Sequence, residues 1–340
     1  MENLSPSVDA VPGQVPAASR PSPKTMRNRR TRKPRARRGA PIKFGADASV
    51  DTAIAVVIAN TRDHWLANEA ALPASGDVEA IHQFRVGLRR FRSALSLFKK
   101  YLPKSQREWL NGEAKWVLSE FGPTRDLDVL ITELIPAADT GKHGDAFATL
   151  RRAAAESRKA AETVALRALK APRYGRFLRR LKTWLAGAGW RAARDVKGPD
   201  GGKVQAADFA ARAIEKRVLK ILAHGKNLNE MSSADRHDIR IAIKKCRYGI
   251  EFFSDALPKR GLHALGKRLK ALQDGLGHSN DVDVAEHMIE ALHSSAKVAS
   301  VKADIAKAGK ALIAHHRRLE KKSGPKAARE WRGLRSALLS

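Results

Sequence analysis

From Phe84 to Phe98 the apolar residues stand at Phe84, Leu88, Phe91, Leu95 and Phe98. Steps of four and three place them on one face of an α-helix. Adding 155 to each number gives Ile239, Ile243, Cys246, Ile250 and Phe253, again all apolar. The rest of the chain follows the same logic. Asp47-Ala48-Ser49 offers N-cap residues for a helix over Val50 to Ala71, which Pro73 and Gly76 stop. Asp77 caps the next helix, which ends at Tyr101-Leu102-Pro103. A third is expected from about Ser105 to Phe121, closed by Gly122-Pro123-Thr124. A short one begins at Arg125-Asp126-Leu127-Asp128. A long helix over about Asp145 to Lys170 is broken at Ala171-Pro172, and Arg173 to Ala186 completes the half.

The second half repeats that order. Ala206 to Leu228 matches the first helix, Asp235 to Leu257 the second and Leu262 to Leu276 the third. Gly277 to Val284 aligns with Gly122 to Val129 without a gap, and only the last part slips by two residues, Pro325 against Pro172. No segment sustains alternation of apolar and polar residues, the mark of a strand. The expected fold is all-α, with two tandem four-helix bundles related by a pseudo-twofold and enclosing a groove or pore. The expected division is a tail over 1–43, a first half over 44–186, a Gly-rich linker over 187–202 and a second half over 203–340. The tail is rich in Pro, Ser, Ala and Arg, cannot bury a core, and is expected to be disordered.

Charge changes the picture more than size does. Lys and Arg number 65 against 35 Asp and Glu, a net +30. The tail carries +9 of this and residues 44–340 carry +21, so the folded part is basic by itself. Such a field draws nucleic acid, polyphosphate or an anionic membrane surface. The longest apolar run, Ala53 to Ala59, is far too short to span a membrane, and no secretory leader is recognised, so a cytoplasmic protein is expected. The lone cysteine, Cys246, takes the place Phe91 has in the first copy and reads as a small core residue.

Beside the apolar stripe lies a second one. His82, Arg85, Arg89 and Arg92 fall at i, i+3, i+7 and i+10, with no carboxylate among them. His237, Arg240, Lys244 and Arg247 repeat it. Aligned like charges on one helix face repel, so the stripes call for an external polyanion. Lys115 and Lys270 also align and either join that surface or are ordinary surface lysines. Arg176, Arg179 and Lys182, with Arg329, Arg332 and Arg335, form further matching basic rows.

The catalytic inventory is thin. The chain contains no HExxH, no Cys/His metal spacing, no Walker A loop and no dinucleotide fingerprint. Asp126 with Asp128, and Asp281 with Asp283, have a spacing that suits Mg²⁺, helix caps or bidentate pairing with Arg. His82 and His237 suit either packing or an oxyanion contact. Adjacent His315 and His316 cannot share a helix face and read as surface histidines. No cofactor, resident metal or catalytic residue is expected.

The stretch Ile81-His82-Gln83-Phe84-Arg85-Val86-Gly87-Leu88-Arg89-Arg90-Phe91-Arg92, the Arg125-Asp126-Leu127-Asp128 turn, and their second copies resemble the CHAD family. The resemblance runs from about residue 47 to the C-terminus. It implies two four-helix halves around a basic central groove or pore that binds inorganic polyphosphate. Such modules do not catalyse and are found with polyphosphate granules or fused to triphosphatase domains. The implied phosphate contacts are His82, Arg85, Arg89, Arg90 and Arg92, then His237, Arg240, Lys244, Lys245 and Arg247. The second copy departs from the pattern, with Asn280 at the place of Arg125 and lysines at the place of Arg89 and Arg90. Lysine supplies charge without the planar fork of arginine. Two other classes remain: a nucleic-acid-binding helical protein, with the tail as a nonspecific contact, and a phosphoanhydride hydrolase built on the Asp pairs.

Overall fold

A computed structural model describes residues 34–339 except 46, 73–76, 193–203 and 225–226. The expected disorder of residues 1–33 lies outside the described residues. Among the described residues ten α-helices of eight residues or more carry the fold: α1 Val50–Glu69, α2 Val78–Leu97, α3 Lys104–Glu120, α4 Gly122–Val129, α5 Gly144–Lys170, α6 Pro172–Ala186, α7 Ala206–Leu222, α8 Ser233–Phe252, α9 Lys259–Ser295 and α10 Ala299–Leu339. Among the described residues there is no strand beyond an isolated bridge between Ser49 and Gln205, so the protein is all-α. None of these helices is long and apolar enough to cross a membrane.

Local chemistry sets the helix ends. The Ser49 hydroxyl accepts from the Thr52 amide at 3.2 Å, and the Asp77 carboxylate accepts from the Glu79 amide at 2.9 Å. Ser232 and Asp235 cap α8 reciprocally. α3 and α4 break at Phe121 because Pro123 has no amide to continue the ladder. Its counterpart is His278, which has one, and α9 runs unbroken for 37 residues through both regions. The second-half break expected at Gly277 is therefore absent. α10 likewise runs 41 residues through Pro325, where the first half breaks at Ala171-Pro172. Losing a helical bond at proline costs about 3 kcal/mol. Burial of Ala328, Trp331 and Leu334 beyond it offsets that cost.

Three apolar cores follow, and they do not divide at the linker. The first gathers α1, α2, α3 and α6 around Trp65, Phe91 and Phe177, and takes in Phe252 of α8 and Phe253, the residue that caps it. The second joins Leu127, Leu130, Phe147 and Leu150 to Ile289, Ile305 and Leu312. The third belongs to the second half and includes Ile243, Cys246, Leu272 and Trp331. Because α9 and α10 are long, they leave their own core and complete the middle one with α4 and α5. Self-contained bundles on either side of a linker do not describe this packing. Cys246 is buried as expected, and burial pushes its thiol up to about 12.

α1 and α2 cross in close contact at Gly87. A Cβ on Gly87 would stand 2.7 Å from the Trp65 amide nitrogen. The linker region is also partly built in. Trp190, in a 3₁₀ turn over Gly189–Ala192, is buried and donates to Asp51 at 2.6 Å.

The expected tail boundary shifts. Residues 34–45 are an extended strap held across α1: the Arg37 amide donates to Asn68 Oδ1 at 2.8 Å, and Asn60 Nδ2 donates to the Ala40 carbonyl at 3.0 Å. Ile42 is buried, and Phe44 stacks on Phe253 at 5.3 Å. These contacts order a segment whose composition alone points to disorder.

Candidate functional site

α2 and α8 each turn three of the four residues of their basic stripe toward the same space. Together with α4, α9 and the end of the strap they line a groove of about 1590 Å³. Nine Lys and Arg residues line it against five carboxylates. The strap brings Lys43, the first half His82, Arg85, Arg89 and Arg125, and the second half Arg240, Lys244, Arg247, Lys267 and Lys270.

The groups feel one another. Burial, then Arg125 and Arg89, hold the His82 imidazole down to about 4, so it is neutral at pH 7. Burial and Arg89 lower Arg85 to about 10, and Asp126 pulls the other way. Burial, then Arg240 and Arg89, lower Lys244 to about 8. Arg89 of α2 thus faces Arg240 and Lys244 of α8, residues 151 and 155 positions away in sequence. Arg89 and Lys244 make no hydrogen bond or ion pair among the described residues, so their charge is open to a ligand.

Arg125 is ion-paired with Glu133 at 3.1 Å, and neutral groups aim the other three arginines. Arg85 Nη1 donates to the Leu118 carbonyl and Arg240 Nη2 to Asn280 Oδ1, both at 2.6 Å. Arg247 Nη1 donates to Gln273 Oε1 at 2.9 Å. An amide partner fixes a guanidinium without neutralising it, which leaves the positive charge for an anion. Asn280, at the place of Arg125, serves Arg240 in this way.

The carboxylates separate into two roles. Asp128 is buried and ion-paired to Arg158 at 2.5 Å, and Asp283 pairs with Arg317 at 2.5 Å. Asp126 and Asp281 line the groove, each close to the arginine of its own half, Arg85 or Arg240. Burial first, and Asp281 second among the groups acting in that direction, raise the Asp126 carboxyl. The i, i+2 spacing therefore does not bring both carboxylates of either pair to one point. Among the described residues no group of three or more His, Cys, Asp or Glu side chains converges as a metal site.

Several residues singled out from the sequence, by the resemblance or by alignment of the two halves, lie elsewhere. Arg90 is only 2% exposed and ion-pairs with Glu251 at 2.8 Å, with Asn60 Oδ1 at 3.1 Å and His64 Nδ1 at 3.2 Å. It crosses from α2 to α8 inside the protein and does not line the groove. Arg92 is half-buried and donates to Asn111 Oδ1 at 2.9 Å, outside the groove lining. Lys115 is exposed on α3 and, unlike Lys270, is not in the lining. His237 is exposed and lines an adjoining pocket of about 410 Å³ that shares Arg240 and Asn280 with the groove. Lys245 is exposed on the opposite side of α8. His316 is not a surface residue: it is 1% exposed, and its Nε2 lies 2.9 Å from the Leu134 carbonyl. Lys43, Arg125, His263 and Lys267 are lining residues absent from the stripe reading. Arg125 had a signal, as the first residue of the Arg-Asp-x-Asp turn. Lys43 had none, because only the strap brings it there.

In this all-α protein the two matching helices α2 and α8 thus turn cationic residues onto one groove. The sequence profile of the CHAD domain matches residues 56–290, and the chain belongs to the CHAD family. The crystal structure of the CHAD domain from the plant Ricinus communis superposes with a TM-score of 0.71 at 28% identity, covering 90% of this chain and 97% of that one. PptA from Streptomyces chartreusis superposes at 0.56 with 17% identity, covering 86% and 98%, a likeness of fold. Comparison with curated proteins gives no match.

Proposed function

We propose that this protein binds inorganic polyphosphate in the groove between α2 and α8 and does not hydrolyse it. The observation that carries the reading is the meeting of Arg89 with Arg240 and Lys244, three mutually repelling cations from two helices. A protein tolerates such a cluster where a ligand neutralises it. Membership of the CHAD family supports polyphosphate as that ligand. On this reading the two halves act as pseudo-twofold partners, each contributing one stripe, and granule association follows from the binding.

The lining favours polyphosphate over nucleic acid. Single-stranded nucleic acid needs aromatic faces for its bases, and Tyr248 is the groove's single Phe, Tyr or Trp. The absence of hydrolysis is supported by the carboxylates, because Asp128 and Asp283 are already engaged by Arg158 and Arg317.

The test is competition binding of long polyphosphate, short oligophosphates and DNA at several salt concentrations. The combination Arg85→Ala/Arg89→Ala/Arg240→Ala/Lys244→Ala removes most polyphosphate affinity while helicity is kept. Equal preference for DNA at moderate salt would sink the substrate assignment. Orthophosphate release with Mg²⁺, abolished by Asp126→Ala, would sink the noncatalytic reading.

A further inference from the structure

On the other side of α8 lies a second groove, of about 700 Å³, which shares no lining residue with the first. Its walls are the end of α2, one face of α7 and one face of α8. Among the described residues the cations Lys99, Lys100, Arg212, Lys216, Arg217, Lys220 and Lys245 line it, with Asp238 as its one carboxylate. None of these seven makes an ion pair among the described residues, and Arg217 donates to the Lys245 carbonyl. Burial, then Lys220 and Arg217, lower the Lys245 ammonium, so the cluster is close enough for its members to repel. This is where Lys245 goes when its neighbour Lys244 faces the polyphosphate groove.

The floor differs in kind from that of the first groove. Leu97, Phe209, Ala213, Ile241 and Ala242 lie between the cations, and Ile241 is 36% exposed. Along α7 the lining residues recur at Phe209, Arg212, Ala213, Lys216 and Lys220, a stripe about 17 Å long. A bare polyphosphate chain has no apolar surface to cover such a floor. A peptide that binds by strand addition needs a free sheet edge, and the described residues offer none. A helix satisfies its own backbone and presents apolar residues on one face and charge on its flanks.

We propose that this second groove docks an acidic amphipathic helix of a partner protein, its apolar face on Phe209, Ala213 and Ile241 and its carboxylates on Lys99, Lys216 and Lys220. The protein then holds a polyanion on one side of α8 and a protein segment on the other. The site is independent of the polyphosphate reading, because the linings are disjoint.

The probe is a fluorescent helical peptide of about 14 residues, roughly 20 Å long, with Leu at i, i+3, i+4 and i+7 positions and Glu on the flanks. The control has the same composition in scrambled order. Anisotropy with the full chain is expected to give about tenfold or tighter binding of the amphipathic peptide over the scramble. Lys216→Glu/Lys220→Glu, and separately Lys99→Glu on another element, weaken the amphipathic peptide by about tenfold or more. Ile241→Asp removes its advantage over the scramble. Arg85→Ala/Arg89→Ala leaves peptide binding unchanged while polyphosphate binding falls. Circular dichroism and melting confirm that each variant folds. Equal binding of the scramble overturns the proposal. Displacement of the peptide by polyphosphate from Arg85→Ala/Arg89→Ala also overturns it, since the groove would then be a second polyanion track. If polyphosphate binding fails in the parent protein while the peptide results hold, only the reading of the first groove is lost.

Discussion

Arg89 and Arg90 are neighbours with opposite expected phenotypes. Arg90 fills a space that Gly39 leaves open, since a Cβ on Gly39 would stand 2.4 Å from Arg90 Nη1. Its guanidinium lies over the Phe252 ring at 5.5 Å and ties α2 to Glu251 of α8. Arg90→Ala deletes a buried stem and leaves a cavity, the kind of change that costs about 2–5 kcal/mol. The two hydrogen bonds and the ion pair are lost too, but so is the burial of a cation, and Glu251, half exposed, returns to water. The net loss is expected near 2–4 kcal/mol. Arg90→Met fills most of the space without charge, and its cost should stay under about 2 kcal/mol. In both variants polyphosphate affinity, measured on folded protein, should change less than about threefold, under 0.7 kcal/mol. Arg89→Ala removes one member of a repelling cluster, so stability should stay within about 0.5 kcal/mol. Its polyphosphate affinity should drop roughly 10-fold or more, one charge-assisted contact. Urea denaturation and a binding isotherm on each variant suffice. The reasoning fails if Arg90→Met weakens polyphosphate as much as Arg89→Ala does at unchanged stability.

Gly87→Ala should destabilise the protein by about 1–3 kcal/mol, because Trp65 must move; urea midpoints check this, and Ala242→Gly at the matching place in the second half should cost about 1 kcal/mol at most. Acid should weaken the fold through His64, whose Nδ1 faces Arg90 and whose folded value, lowered by burial and Arg90, is about 4 against 6.5. Its contribution is intact above pH 6.5 and lost as pH falls toward 4, up to about 3 kcal/mol; urea midpoints of His64→Gln should lack that part of the slope. Polyphosphate should raise the depressed His82 value of about 4, so binding takes up a proton and affinity rises as pH falls from neutral; calorimetry in buffers of different ionisation enthalpy reads the uptake, and none is expected from this group in His82→Gln. Removing residues 1–33 should leave stability and most affinity unchanged. Removing 1–45 should lower both, since it deletes the buried Ile42, the Phe44–Phe253 stack and Lys43 at the groove.

Helix faces are a property of spacing, and spacing is written in the chain. The period of Phe84 to Phe98, its copy 155 residues on, and the basic stripe beside it were legible because α-helix geometry is nearly invariant. The break at Pro123 and the burial of Cys246 were legible for similarly local reasons. Even the fate of Arg90 had a local sign: it stands about 100° around the helix from Arg89, off the stripe, and only the family resemblance placed it with the phosphate contacts. Lys245 stands in the same relation to Lys244. What the chain does not state is which faces meet. The approach of Arg89 to Lys244, the middle core shared by α4, α5, α9 and α10, and the strap that brings Lys43 to the groove all depend on contacts between distant segments. An apolar stripe is satisfied by any complementary surface, so its pattern predicts that it is covered and leaves the partner to the packing of the whole chain.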